Sequence, residues 1–172
     1  MIEILILYVI HKREKTLYAI RKNIIDIFGV FTKPSVGTIH PAIKRLLDAG
    51  AISVYEKMSD GGKKSCYYSI TQKGLDYFKE LFFSTASDNP SLFYTQIQAR
   101  FGTMGLLSEN DRKLFITEFS KKIDIYEAEL NQKLNDEFLG LDYYQKQLLN
   151  RNLKEIKSLR EYLQNLKVEN VG

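Results

Sequence analysis

Apolar residues recur at steps of three and four through most of this chain, and give way to alternation over one short stretch only. The opening segment, residues 2–12, places Ile2, Leu5, Ile6, Val9 and Ile10 on adjoining faces of a single helix. A helix apolar nearly all round is buried on most sides, in a core or against a second subunit, and Leu5 and Val9 are the expected contacts to such a partner. Thr16 is placed to cap a second helix that runs to about Phe28, with Leu17, Ile20, Ile24 and Ile27 or Phe28 inward and Gly29 as its stop. A third helix follows a short connector, with Ser35 as N-cap and Gly50 as the left-handed residue after its end. Its inward stripe is Ile39, Ile43, Leu46 and Leu47; Gly37, Thr38, His40, Pro41, Lys44 and Arg45 lie opposite. Pro41 removes the backbone bond to Gly37, which predicts a bend near the first turns, not a break. Residues 52–57 and 65–70 then read as strands, joined by a turn containing SDGGKK. Thr71 caps a closing helix, QKGLDYFKELFF.

The polar, turn-rich STASDNP over 84–90 marks a domain boundary. Beyond it come a shorter helix over 91–101, a break over 102–107, and a Ser108–Asp111 pair with the spacing of a capping box in which Asp replaces Glu. Two long helices complete the chain. The first carries Ile116, Phe119, Ile123, Tyr126 and Leu130, continuing to Leu134 and Phe138; Gly140 interrupts it. The second carries Leu149, Ile156, Leu159, Leu163 and Leu166 in one seam. Paired as an antiparallel hairpin they leave apolar surface over, for which a second copy of the chain is the simplest cover. The predicted architecture is mainly α with a small β-hairpin. A winged helix-turn-helix domain spans 1–83, and an α-helical dimerisation domain, also a place for an effector, spans 91–168.

Composition sharpens this division. The 172 residues are 44% apolar and 27% charged, with a net charge of +4, as in an ordinary globular protein. Residues 1–83 hold 13 Lys and Arg against 8 Asp and Glu, whereas 84–172 hold 12 against 13. The basic surplus belongs to the half with the hairpin, which favours an anionic partner there. A single cysteine, Cys66, excludes an internal disulfide, and its place in a predicted strand suggests packing. The apolar opening is too short to span a bilayer and lacks the flanks of a signal peptide, so a cytoplasmic location is expected. His11, His40 and Cys66 share no ligand spacing, and no metal or cofactor is expected. No phosphate-cradling glycine loop or nucleophile–base pair points to an enzyme.

The third helix crowds small and hydroxyl residues at its N-terminal end, with cations one or two turns later. That pattern suits a helix whose N-terminus enters the major groove of double-stranded DNA while basic residues reach phosphates. Lys33, Ser35, Thr38, His40, Lys44 and Arg45 are therefore the candidate DNA contacts, with Lys63 and Lys64 at the tip of the wing.

The run PSVGTIHPAIKRLLDAGAI is similar to a PadR-family pattern close to PSxGTIYPALKRLEEEGLI. GGKKSCYYSITQKG is similar to a wing pattern close to GGRRRKYYRLTEAG. The family's HGYEL stands here as TLYAI, which matches Tyr18, and the tail YYQKQLLNRNLKEIKSLREYL resembles the final helix of the longer subfamily. The chain thus resembles the PadR family of bacterial transcriptional regulators. That resemblance implies a homodimer on a pseudo-palindromic operator, usually a repressor, released by a small, often aromatic, effector. By position it implies that Tyr18, Ser35, Thr38 and Lys44 touch DNA, with Lys63 and Lys64 on the wing, and that His40 takes the place of a tyrosine. Some relatives stack flat molecules on a tryptophan of the last helix; this chain has none. Phe93, Tyr94, Phe101, Phe115, Phe119, Tyr143 and Tyr144 are core by default, and an effector pocket would draw on them. The competing reading is a winged-helix adaptor that binds protein and not DNA.

Overall fold

The computed structural model describes residues 1–58, 62, 64–84 and 90–166. It divides into two compact units, 1–106 and 107–172. In the first, α1 (Ile2–Ile10), α2 (Leu17–Phe28), α3 (Val36–Asp48), α4 (Gln72–Phe83) and α5 (Pro90–Thr103) accompany strands β1 (Lys15–Thr16), β2 (Ile52–Met58) and β3 (Lys64–Ile70). The sheet is antiparallel in the order β1-β3-β2. Register runs from Ile52 opposite Ile70 to Met58 opposite Lys64, with Lys15 opposite Tyr68. This is the winged helix-turn-helix expected from the sequence, with one strand more. β1 is two residues long, too short for any alternation to announce it.

α1 is the centre of this unit: α2, α3, α4 and α5 all pack on it. Leu5, with no exposed surface, and Val9 lie buried among these helices of their own chain. This corrects the expectation that they meet a second subunit. The chain has enough amphipathic helices to cover α1 by itself. On α2, Phe28 and not Ile27 completes the inward stripe. On α3, Ala42 joins Ile39, Ile43 and Leu46 in the core, while Leu47 is only half-buried.

Capping explains where these helices start and stop. Thr16, Ser35 and Thr71 accept hydrogen bonds from Ala19, Thr38 and Gly74 backbone N–H groups respectively, each offsetting an orphan donor of the first turn. At the end of α3, Gly50 sits at φ 69°. Its N–H donates to the Leu47 carbonyl and that of Ala51 to the Leu46 carbonyl, both within 3 Å, the bonding of a Schellman motif. The Thr71 hydroxyl also donates to the Gly50 carbonyl at 2.8 Å, which ties the start of α4 to the end of α3. There is no room for a side chain at Gly74, where a Cβ would come within 2.0 Å of the Ala51 carbonyl oxygen.

Helix α5 belongs to the first unit and not, as the sequence suggested, to the second. Arg100 shows the reason: its buried guanidinium donates from Nε to the Phe82 carbonyl at 2.7 Å and from Nη2 to the Ser84 carbonyl at 2.8 Å. A cation on the free carbonyls of a helix end is favourably placed. Burial lowers the Arg100 pKa.

The second unit is the hairpin of α6 (Glu109–Asn135) and α7 (Tyr143–Asn165). Arg160 pairs with Asp124 at 2.6 Å and with Glu127, and Lys157 approaches Glu127 at 3.9 Å, so the two helices run antiparallel. Phe115, Phe119 and Ile123 on α6 and Ile156 and Leu163 on α7 are buried. Ile156 and Leu163, expected to face a second copy, are therefore spent within the chain; Leu149, Leu159 and Leu166 remain half-buried. α6 ends at Asn135, before Phe138, which lies in a 3-10 turn and is fully exposed. Ser108 does accept from the Asp111 N–H, but its hydroxyl is also bound by the Asp111 carboxylate. The reciprocal box forms instead at Asp142 and Gln145 on α7. Asp, one methylene shorter than Glu, stops at the Ser hydroxyl.

Candidate nucleic-acid interface

Helix α3 offers to solvent one unbroken stripe, Val36, Gly37, Thr38, His40, Pro41, Lys44 and Arg45, all exposed. The helix continues through Pro41. Its buried residues fix the direction of this stripe, and a second restraint fixes its start. Arg21 on α2 donates from Nε to the Pro34 carbonyl at 3.1 Å, so the α2–α3 connector is held at a buried proline. At the N-terminal end the Ser35 and Thr38 hydroxyls lie 3.1 Å apart. They form a small polar cluster beside the free backbone donors of the first turn, where anions are favoured.

The cations around this end are not equivalent. Among the described residues no ion pair engages Lys33 or Lys44, both exposed. Arg45, by contrast, donates from Nε to the Glu3 carboxylate of α1 at 2.5 Å. Lys64 pairs with Glu56 at 2.9 Å, an exposed contact that costs little to break. Lys63 lies outside the described residues. Tyr18 stands on the first turn of α2 with most of its side chain in solvent, beside the capped N-terminus and free to reach a phosphate.

Two residues join the site that patterning did not single out. Val36, exposed at the first position of α3, brings methyl groups to the N-terminal end of the helix, a chemistry suited to reading a thymine methyl. Arg21 acts on the connector, and nothing in its spacing signals a contact 13 residues away. The wing has its own order. Tyr55 and Tyr67, paired across the strands, stack at 6.1 Å, and the Lys57 ammonium lies 5.8 Å from the Tyr67 ring. Hydrogen bonds from its own backbone and from Tyr55 lower the Glu14 pKa, while burial and Glu14 raise that of Tyr55. Cys66 is exposed on β3, contrary to the packing role expected of it, because its side of the wing is open to solvent.

Among the described residues no group of His, Cys, Asp and Glu could hold a metal ion, and no helix is long and apolar enough to cross a membrane. Of the aromatics considered for an effector, Phe115 and Phe119 stack on each other in the core, whereas Tyr143 and Tyr144 are exposed.

No curated protein matches the chain. Among solved structures, a PadR-like transcriptional regulator from Bacillus cereus is similar at 33% identity, over 45% of this chain and 74% of that one, with a TM-score of 0.41. A transcriptional regulator from Clostridium thermocellum is similar at 28% identity, over 46% and 76%, with a TM-score of 0.42. The PadR of Bacillus subtilis, solved with operator DNA, is 18% identical over 94% of both chains, with a TM-score of 0.43. Residues 6–80 match the transcriptional regulator PadR-like family, and this segment contains α2, α3, both wing strands, the second half of α1 and most of α4. The chain carries a winged-helix domain of the PadR-like family of transcriptional regulators.

Proposed function

We propose that this protein is a sequence-specific, dimeric DNA-binding repressor, released from its operator by a small effector. The observation that carries the reading is the exposed N-terminal half of α3, capped by Ser35 and fixed at Pro34, within a PadR-like domain. In this mechanism Val36, Thr38 and His40 meet base edges, while Tyr18, Lys33, Ser35 and Lys44 hold the phosphate backbone. Lys63 and Lys64 supply the wing contact, with Lys64 leaving Glu56 for a phosphate. The residues past the wing domain hold two copies so that their α3 helices lie about one DNA turn apart, near 34 Å. The operator is then pseudo-palindromic. An effector need only alter that spacing or tilt, and a decisive shift requires roughly a 10⁴-fold preference for one arrangement.

The test is anisotropy binding to a library of duplexes across a salt series. Tight, selective binding is expected. Lys44→Ala should lower the slope of log K against log salt by about 0.9, one phosphate contact. Weak and uniform binding that Lys44→Ala leaves unchanged would instead favour a protein-binding adaptor.

A further inference from the structure

We propose that Glu3 and Arg45 are positioning residues, a charged strut that sets the angle of the recognition helix, so that Arg45 serves sequence discrimination without touching DNA. This rests on the reading of α3 as the DNA-reading helix. Arg45 lies in the last turn of α3 and Glu3 in the first turn of α1, 42 positions apart. Each charge is on the end of its helix that the macrodipole favours. The Glu3 side chain is only 14% exposed against 57% for Arg45, so the carboxylate is the enclosed partner and the guanidinium comes to it. An enclosed carboxylate without its cation is costly, and this is what separates the pair from an ordinary surface ion pair.

The strut attaches at an informative place. α1 is the helix on which every other helix of the first unit packs, so Glu3 is part of the fixed frame. The N-terminal end of α3 is already held by Arg21 on the Pro34 carbonyl. Glu3 holds the opposite end. Two restraints at the two ends of a 13-residue helix define its tilt. A small change of tilt displaces Val36, Thr38 and His40 from base edges, and a displaced hydrogen bond forfeits discrimination before it forfeits backbone attraction. Lys44, one position earlier and unpaired among the described residues, is then the phosphate contact of this part of α3.

The test compares affinity for the selected operator with affinity for a duplex carrying one changed base pair, over a salt series. It uses the full chain, Glu3→Gln, Arg45→Gln, and the exchange Glu3→Arg with Arg45→Glu. The ratio of the two affinities cancels any general gain or loss of positive charge. It is expected to fall roughly tenfold in both single variants and to recover in the exchange. The salt slope of Arg45→Gln should stay at the wild-type value, unlike that of Lys44→Ala. A slope reduced in Arg45→Gln as much as in Lys44→Ala, with an unchanged ratio in Glu3→Gln, would overturn the strut and make Arg45 a phosphate contact. Loss of operator binding by the exchange, while Arg45→Gln still binds, would overturn it as well. If the exchange fails to fold, the two glutamine variants decide. Failure of the reading beneath is separately visible, because the unaltered chain would then prefer no duplex.

Discussion

Helices α1 and α7 both carry apolar surface that patterning assigns to a second copy of the chain, and the two end in opposite conditions. α1 is nine residues, of which six are buried, enclosed by four helices of its own unit. α7 is 23 residues, of which only Ile156 and Leu163 are buried, and it leaves Tyr143, Tyr144, Leu148 and Tyr162 in solvent. Next to its start, Phe138 and Leu139 are exposed too. An apolar periodicity states that a face must be covered but not by what. In the first unit the chain supplies the cover; in the second a single antiparallel partner covers one stripe and no more. On the proposed dimeric reading, the difference assigns the contact with the second copy to α7 and the α6–α7 turn, not to α1.

The sharpest way to break this comparison is to cut into α1. Leu5→Ala should cost about 2–5 kcal/mol, the range for emptying a filled core site, read as a loss of folding stability in denaturant. A stable, folded monomer from this substitution would return α1 to the dimer interface. The opposite result is expected from Tyr143→Ser with Tyr144→Ser. These rings touch each other edge to face at 5.3 Å, and their removal should change hairpin stability by less than about 0.5 kcal/mol. Self-association measured by sedimentation should nevertheless weaken roughly tenfold or more; unchanged association would place the dimer contact elsewhere.

Within the first unit, Thr71→Ala removes both an N-cap and the bond to the Gly50 carbonyl. Destabilisation of about 1–2 kcal/mol is expected in chemical unfolding. The smallest effect belongs to Glu14→Gln. The Glu14 carboxyl is held below its ordinary value by backbone and Tyr55 hydrogen bonds, so it contributes stability above the unfolded carboxylate pKa of about 4.3. That contribution is lost as pH falls through the lower folded value. Thermal unfolding from pH 6 to pH 3 should therefore fall less steeply in Glu14→Gln; an identical acid limb would show that the bond to Tyr55 has no energetic weight.

Much of the fold was legible because its signals are local. Ser35, Thr71 and Gly50 act at helix ends through partners a few residues away, and the third helix and wing carry a pattern specific enough to resemble a family. The candidate site was legible where exposure follows from periodicity: Thr38, His40 and Lys44 lie opposite Ile39, Ile43 and Leu46 because a helix turns once in 3.6 residues. It was illegible where a charge could choose between partners. Lys44 and Arg45 are adjacent and alike in sequence. Only the approach of Glu3 separates an unpaired cation from one bonded to α1.

The sequence by itself determined the helices and wing strands of the first unit, their caps, the exposed stripe of α3 and the family of the domain. Each of these depends on residues within a turn or two of one another, or on a short run read as a whole. Tertiary structure alone decided that α1 is covered by its own chain and that β1 joins the sheet. It also decided that Arg100 brings α5 into the first unit, that Ile156 and Leu163 are spent inside the hairpin, and that Arg45 answers to Glu3. These depend on which surfaces meet, and the hydrophobic effect is non-directional. A pattern that demands burial is satisfied by any apolar face of the right shape, and a guanidinium by any carboxylate within reach.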